Sequence, residues 1–177
     1  MKYNPNKHHR RSIRLKGYDY SQSGLYFITI CVKNNACLFG EIANGVMMLN
    51  DAGKMVEIEW TKLPDRFKNI ELHEYVVMPN HFHAILEIVG ATLVAAQNED
   101  ETVKKTVGDM VGAFQSIVTV EYIRGVKNND WQPFDGKLWH RNYWEHIIRN
   151  EQSHQTITEY IINNPLKWDG DKFNPSN

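Results

Sequence analysis

Runs of apolar residues divide the chain into strands and helices. Most positions in residues 25–32 are apolar, which is typical of a strand buried on both faces of a sheet. Residues 70–78 and 81–89 are joined across a proline, and they predict either a hairpin or one strand bent at that proline. An Asn-Gly turn precedes a short apolar run at 46–49. The predicted strands are residues 25–32, 46–49, 70–78, 81–89 and 139–149.

Three segments have the spacing of three and four residues that predicts amphipathic helices. The first starts with Asn50 or Asp51 as its N-cap and must end near Pro64. The second covers residues 103–124 and follows an aperiodic, acidic stretch that is typical of an exposed loop. The third covers residues 151–163 and ends before a proline.

The order of these elements is β-α-β-β-α-β followed by one more helix, with the short strand as an addition. This order predicts an α+β fold of the ferredoxin-like class, an antiparallel sheet with helices packed on one face. The other face would be free for a ligand. We expect a basic arm at 1–20, one domain at 21–170 and a tail at 171–177.

The composition is that of one globular domain. The chain has 177 residues, of which 42% are hydrophobic, and this suffices for one sizeable core. No apolar run approaches the length of a membrane span, and the first residues do not resemble a signal peptide, so we expect a cytoplasmic protein without membrane contact. Cys31 and Cys37 are interpreted as reduced thiols.

Charge is distributed unevenly along the chain. The net charge is -1, yet residues 1–16 contain six basic residues and no acidic one. A basic arm of this kind can bind phosphates, although a solvated terminus is an equal alternative on charge alone. The candidate phosphate-binding residues are Arg10, Arg11, Arg14 and Lys16.

His81 and His83 are separated by one residue within a predicted strand. Side chains of a strand alternate between its faces, so the two imidazoles point the same way and can share one divalent metal ion. The spacing alone is weak evidence, because a chain with eight histidines contains such a pair by chance fairly often. Without a second element, two structural histidines are the simpler interpretation.

A second element lies on the last predicted helix. Tyr160 and Asn164 are four residues apart, so a phenol and an amide project from one helical face. Taken alone, Tyr160 would be interpreted as a helix tyrosine that faces the core.

Several separated blocks of the sequence, in this order, resemble the REP-associated tyrosine transposases, which are related to the single-tyrosine HUH transposases of small bacterial insertion sequences. The strongest block is Met-Pro-Asn-His-Phe-His at 78–83, and two others follow at 144–150 and 160–165. Blocks near the N-terminus are also similar, so the resemblance covers nearly the whole chain. These blocks are residues 10–15, 17–20 and 38–42.

The resemblance implies a role for each matching residue. His81 and His83 match the metal-binding histidine pair, and Tyr160 matches the nucleophile. Asn164 stands where many relatives have a glutamine that completes the metal site. Because asparagine is one methylene shorter, another oxygen donor or water is an alternative third ligand. The implied metal is magnesium or manganese, and the implied nucleophile helix belongs either to the same monomer or to the partner in a homodimer.

The implied reaction is the cleavage and rejoining of single-stranded or hairpin DNA, with repetitive palindromic elements as the expected target. A tyrosine oxygen attacks a phosphodiester, which gives a 5'-phosphotyrosine and a free 3'-hydroxyl without loss of the bond energy. A free tyrosine has a pKa of about 10 and is a poor nucleophile at neutral pH, so a metal ion is needed to stabilise the developing charge. Imidazole ligands alone would favour zinc by affinity.

Other aromatic and histidine residues have weaker assignments. Exposed aromatic rings are platforms for unpaired bases, but core packing is the simpler interpretation for any single ring. The candidates are Trp131, Trp139, Tyr143 and Trp144. Four further histidines are interpreted as structural, with a phosphate contact as the alternative for the third: His73, His140, His146 and His154.

Two other functions are alternatives to the transposase. A histidine-triad hydrolase would need a third histidine where the chain has Ile85, so this rival fails. A nucleic-acid-binding module that keeps the fold without cleavage stays open, although His81, His83 and Tyr160 are all present.

Overall fold

The computed structural model describes Leu15 and residues 17–90 and 104–177. The predicted phosphate-binding residues of the arm and most of the predicted acidic loop lie outside these residues. The strands are β1 (Gly24–Cys31), β2 (Gly40–Ala43), β3 (Val46–Leu49), β4 (Ile70–Val77), β5 (His81–Ile88) and β6 (Trp144–Ile148). The helices are α1 (Asp51–Thr61), α2 (Leu63–Arg66), α3 (Val107–Asn128) and α4 (Glu151–Ile162), with 3-10 turns at Lys33–Asn35 and Pro165–Gly170.

The main sheet has the strand order β4-β5-β1-β6, and each neighbouring pair is antiparallel. With α1 before β4 and α3 before β6, this is the ferredoxin-like arrangement, and the predicted α+β fold class is confirmed. β4 and β5 form a hairpin, in which Met78 N–H donates to the His81 carbonyl at 2.9 Å. The alternative of one strand bent at the proline is therefore wrong.

One face of the sheet carries the main hydrophobic core. Alternate residues of the central strands, including Ile28 and Phe82, face α1 and α3 on this side. Trp60 of α1 packs with its ring 4.9 Å from Phe82 and 5.2 Å from Phe114 of α3. Both faces of the two central strands are buried, and this burial explains their near-continuous apolar sequence.

Helix caps fix where the helices of this core begin. The Asn50 side chain accepts a hydrogen bond from Gly53 N–H at 2.8 Å, which caps α1 as predicted. Thr106 and Asp109 form a capping box before Val107, where α3 starts, four residues later than the predicted start at residue 103. α3 also extends past the predicted end at residue 124 to Asn128.

The opposite face of the sheet is covered in part by α4. Ile161 of α4 packs against Ile85 of β5 and Ile148 of β6. Asn150 caps this helix by accepting from Ser153 N–H at 2.8 Å. The C-terminal helix therefore lies on the face that the two other long helices leave open.

Two strands differ from the prediction. β2 was not predicted, and it pairs with β3 across the turn at Asn44 and Gly45, both of which have positive φ. β6 is shorter than the predicted strand at 139–149, since Trp139 forms only an isolated bridge with Val32.

Within Leu15 and residues 17–90 and 104–177, every helix is too short or too polar to span a lipid bilayer.

Candidate active site

His81 and His83 lie side by side on the face of β5 that is turned toward α4. Their ring centroids are 4.7 Å apart, and the two residues are only 0% and 2% exposed. β5 is an inner strand, so the pair is held from both sides by backbone hydrogen bonds. The predicted metal pair is thus a buried, rigid feature of the sheet.

Tyr160 reaches the histidine pair from α4. Its hydroxyl lies 3.2 Å from Nε2 of His83. Phe27 of β1 positions both rings, since it stacks on His83 with centroids 5.4 Å apart and meets Tyr160 edge-on at 6.0 Å. The structure therefore brings together the strand histidines and the helix tyrosine that the sequence singles out.

The protonated nitrogen of His81 is determined by its neighbour Asn80. The Asn80 amide nitrogen donates to two carbonyls, of Asn35 at 2.9 Å and of Phe173 at 2.7 Å. The amide oxygen is left to accept from His81 Nδ1, at 2.9 Å. Nδ1 therefore carries the proton, and the lone pair of His81 is on Nε2.

His81 Nε2 is buried and has no hydrogen-bond partner among the residues that the structure describes. Unpaired buried polar atoms are rare in folded proteins and call for an explanation. A lone pair that faces into the protein next to a second imidazole is the arrangement found in sites that bind metal cations.

Thr29 orients the second histidine. Its hydroxyl lies 2.8 Å from Nδ1 of His83, and the two residues are partners across β1 and β5. When Nδ1 donates to this hydroxyl, Nε2 of His83 has a lone pair that can accept from Tyr160 or bind a metal ion. One lone pair cannot do both at once.

Asn164 lies just beyond the end of α4 and is 1% exposed. Its amide favours the charged forms of two site residues, since it raises the pKa of His81 and lowers the pKa of Tyr160. Its Oδ1 is buried, and it too has no hydrogen-bond partner in the described part of the chain. The Asn164 side chain therefore lies at the site, although it is one methylene shorter than a glutamine.

Burial dominates the electrostatics of the site. It lowers the pKa of His81 to about 4, against smaller opposite effects of Asp171 and Asn164. Burial, together with the nearby His81 and Lys172, holds the pKa of His83 well below its usual value. Burial also raises the pKa of Tyr160. Both imidazoles are thus neutral at neutral pH, as metal ligands must be, whereas the tyrosine keeps its proton.

The C-terminal segment closes one side of the site. The Phe173 ring lies 4.7 Å from the His81 ring and 6.4 Å from the His83 ring, and Trp168 stacks on His81 at 6.0 Å. Asp171 lies close enough to raise the pKa values of His81 and Tyr160. The segment expected to be a tail thus contacts the histidine pair directly.

Several of these residues were missed in the sequence. Thr29 interrupts an apolar run with a hydroxyl, and Asn80 directly precedes the first histidine, so both carried a signal that could have been used. Trp168 and Phe173 carried little signal, since aromatic residues near a chain end have no preferred partner.

The predicted DNA-contacting aromatics lie in different environments. Trp139 is 7% exposed and donates its indole N–H to the Gln115 carbonyl at 3.1 Å, so its ring belongs to the core. Tyr143 also packs against that core. Trp144 is 47% exposed and is the partner of Thr29 on the neighbouring strand, which places it on the face of the active site.

A shallow groove of about 570 Å³ runs between β6 and α4. His146 lies in it, and it begins at Phe27, the ring that contacts Tyr160. The remaining lining residues are polar or small, apart from one isoleucine: Asn150, Gln152, Ser153, Thr156 and Ile157. The groove therefore adjoins the aromatic ring that contacts the tyrosine.

The residues present fit a divalent cation. Two neutral imidazoles and an amide oxygen form a set of donors without any charge, and two of these atoms are buried without a partner among the described residues. A cation would satisfy both, and it would compete with Tyr160 for the lone pair of His83.

The fold is similar to that of a solved transposase structure. A solved structure, described as a REP-associated tyrosine transposase bound to a REP hairpin, superposes with a TM-score of 0.57 at 22% identity, covering 89% of this chain and 74% of that chain. The chain therefore has a transposase-like fold.

The sequence relationship is closer to a protein without an assigned activity. No model of a known protein family matches the chain. An uncharacterized protein of Haemophilus influenzae is 46% identical over 181 residues, which cover 97% of this chain and 97% of that protein. The chain belongs to the same family as that protein.

Proposed function

We propose that this protein is a metal-dependent DNA transposase or endonuclease of the single-tyrosine HUH type, and specifically a REP-associated tyrosine transposase. The main support is the contact of the Tyr160 hydroxyl with His83 Nε2 at 3.2 Å, beside the His81 ring, whose Nε2 has no hydrogen-bond partner among the residues that the structure describes. A nucleophile and a set of cation ligands thus meet in one buried site. The similarity in fold to a transposase bound to a hairpin supports the same conclusion.

Tyr160 is the nucleophile of the proposed reaction. Its Oη forms a bond with the phosphorus of a DNA phosphodiester, and the bond from phosphorus to the 3'-oxygen breaks. The products are a 5'-phosphotyrosine and a free 3'-hydroxyl, since the phenol loses a proton and the departing oxygen gains one through solvent. Attack by a 3'-hydroxyl on the phosphotyrosine reverses these steps and rejoins a strand.

His81, His83 and Asn164 would hold magnesium or manganese, which stabilises negative charge on the phosphate. Asn80 and Thr29 hold the two imidazoles through their Nδ1 atoms, which leaves the Nε2 atom of each ring for the cation. In the absence of the cation, His83 keeps the Tyr160 hydroxyl in a hydrogen bond. The hydroxyl would have to leave this hydrogen bond before it attacks the phosphate.

DNA would enter along the groove between β6 and α4. Trp144 and Phe27 offer aromatic rings for unpaired bases on the same face of the sheet, and His146 offers a phosphate contact. Arg10, Arg11, Arg14 and Lys16 remain candidates for binding the phosphates of a hairpin.

One chain supplies both halves of the proposed site. The tyrosine of α4 reaches the histidines of its own β5, so a monomer has a complete site in this conformation. A homodimer that exchanges α4 would need that helix to leave the sheet, and it would have to break the packing of Ile161 on Ile85 and Ile148.

The test is covalent attachment to DNA. Purified protein is incubated with hairpin and single-stranded oligonucleotides from the flanks of its own gene and with Mn²⁺, and adducts are resolved on a denaturing gel. We expect an adduct with the wild type, none with Tyr160→Phe or His81→Ala, and unchanged amounts with the controls Tyr75→Phe and His140→Ala. Binding without an adduct would support the non-catalytic binding module instead.

A further inference from the structure

A second group of metal-binding side chains lies on the same face of the sheet, at the edge strand β4. One donor atom each of His73, Glu74 and His154 lies within 4.8 Å of the other two. His73 and Glu74 belong to β4, and His154 belongs to the first half of α4, six residues before Tyr160. None of these residues belongs to the proposed catalytic centre.

An irregularity of β4 explains how two consecutive residues can face one ligand. In a regular strand, neighbouring side chains point to opposite faces of the sheet. The register between β4 and β5 shifts between Leu72 and Tyr75, which is where His73 and Glu74 lie. A bulge of this kind redirects a side chain, and bulges are frequent next to functional sites.

His154 has a free nitrogen in this group. Its Nε2 is buried and has no hydrogen-bond partner within the described ranges, although the residue as a whole is partly exposed. Its ring meets the His73 ring edge-on, with centroids 5.6 Å apart. His154 Nδ1 lies on the side of Glu151, 3.9 Å from a carboxylate oxygen, so Nε2 is the buried nitrogen that is available to a ligand.

His73 is oriented by a carboxylate. Its Nε2 lies 2.8 Å from Oε2 of Glu87 on β5, and a carboxylate only accepts, so Nε2 carries the proton. The lone pair of His73 is then on Nδ1. A histidine that donates one N–H to a carboxylate and binds a metal through the other nitrogen is a common arrangement in metal sites.

We propose that His73, Glu74 and His154 bind a second divalent cation, of the zinc type, which ties α4 to the edge strand β4. Two imidazoles and one carboxylate are a donor set that prefers zinc. The carboxylate also supplies a negative charge, which the proposed catalytic ligands His81, His83 and Asn164 lack. Bound at His154, the cation fixes the first half of α4 against the sheet and so positions the second half, which carries Tyr160. This role goes beyond the proposed function, and the cation can bind whether or not Tyr160 reacts with DNA.

The first test is the zinc stoichiometry of the apoprotein, measured by titration calorimetry with ZnCl₂. The His81→Ala/His83→Ala variant removes the proposed catalytic ligands, and we expect it to bind one zinc ion. Adding His154→Ala should abolish this binding, whereas adding the exposed control His140→Ala should not. Absence of zinc binding in the double variant would overturn the proposal, and so would binding that survives His154→Ala.

A milder substitution guards against a loss of folding. Glu74 is exposed, so Glu74→Gln should leave the fold intact while removing the anionic ligand. We expect zinc affinity in the His81→Ala/His83→Ala background to fall tenfold or more with this change, and not with the exposed control Glu41→Gln on β2, which is outside every group of candidate metal ligands in the described part of the chain.

The second test measures the effect on α4. Zinc should slow amide hydrogen exchange of α4 in the His81→Ala/His83→Ala variant, and the slowing should vanish with His154→Ala. Unchanged exchange of α4 on saturation with zinc would contradict a cation that ties this helix to β4.

Discussion

The two faces of the sheet are built from the same strands but differ in chemistry. On one face, Phe82 and its neighbours pack against α1 and α3 in an apolar core. On the other face, His81, His83 and Thr29 meet α4, and buried polar atoms are left unpaired among the described residues. We infer that the apolar face stabilises the fold, whereas the polar face keeps groups that lower stability because the proposed binding and chemistry need them.

The largest expected effect is a difference in stability between substitutions of two adjacent residues of β5. Phe82→Ala empties a fully buried site and should lower the free energy of unfolding by about 3 to 5 kcal/mol. His83→Ala loses the hydrogen bonds of one imidazole and should cost no more than about 2 kcal/mol, yet it should abolish the DNA adduct. Urea denaturation measures both changes, and equal losses of stability would contradict the division between the faces.

A lower pH should reduce the free energy of unfolding through the buried histidines of the polar face. His81 has a pKa of about 4 in the folded chain and about 6.5 when unfolded, so between these values the unfolded chain binds the extra proton. The free energy of unfolding should therefore fall as the pH drops from 6.5 to 4, by about 3 kcal/mol for this residue, and His83 acts in the same direction.

The measurement is urea denaturation at a series of pH values in the presence of a chelator. His81→Asn keeps a polar side chain without a proton to gain, so it should flatten the dependence in this window, whereas the exposed control His140→Asn should not. A dependence that is unchanged in His81→Asn would show that the loss arises elsewhere in the chain.

The order of the elements could be predicted because it depends on local periodicity. The predicted ends of the main-sheet strands and of the three long helices lie within a few residues of the observed ends, apart from the start of β6. β2 was not predicted because a four-residue strand with a glycine and a charge shows no clear period. The histidine pair could be predicted for the same reason, since two residues on one face of a strand follow from the alternation alone.

The contacts around the pair could not be predicted, because they depend on tertiary packing. Thr29 meets His83 across 54 residues of sequence through the register of β1 and β5. The helical period of α4 shows an apolar stripe but not which face of the sheet it covers. Likewise Trp139 and Trp144 look alike in sequence, and only the fold assigns one to the core and the other to the active-site face.

A smaller effect should show whether Asn164 is the third ligand. Asn164→Ala removes the buried amide oxygen and should weaken Mn²⁺ binding by about tenfold or more, while Asn164→Asp adds a charge and should strengthen it. Electron paramagnetic resonance of free Mn²⁺ measures the affinity. The adjacent Asn163→Ala is the control. If Asn164→Ala has the same Mn²⁺ affinity as this control, Asn164 is not the third ligand and another oxygen donor takes that place.

The smallest effect should come from the groove. His146→Ala removes one polar contact at the surface and should weaken hairpin binding by about threefold to tenfold, with no change in stability. Fluorescence anisotropy with a labelled oligonucleotide measures the affinity, with the exposed His140→Ala as control. If both variants bind alike, the DNA does not follow this groove.

The most direct test of the central claim is to map the covalent link. After incubation with a hairpin oligonucleotide and Mn²⁺, the protein is digested with trypsin and nuclease, and the modified peptide is identified by mass spectrometry. We predict a nucleotide joined through its 5'-phosphate to Tyr160, and none in the presence of a chelator. A link to another residue, or an unmodified chain from samples in which the hairpin is bound, would contradict the account.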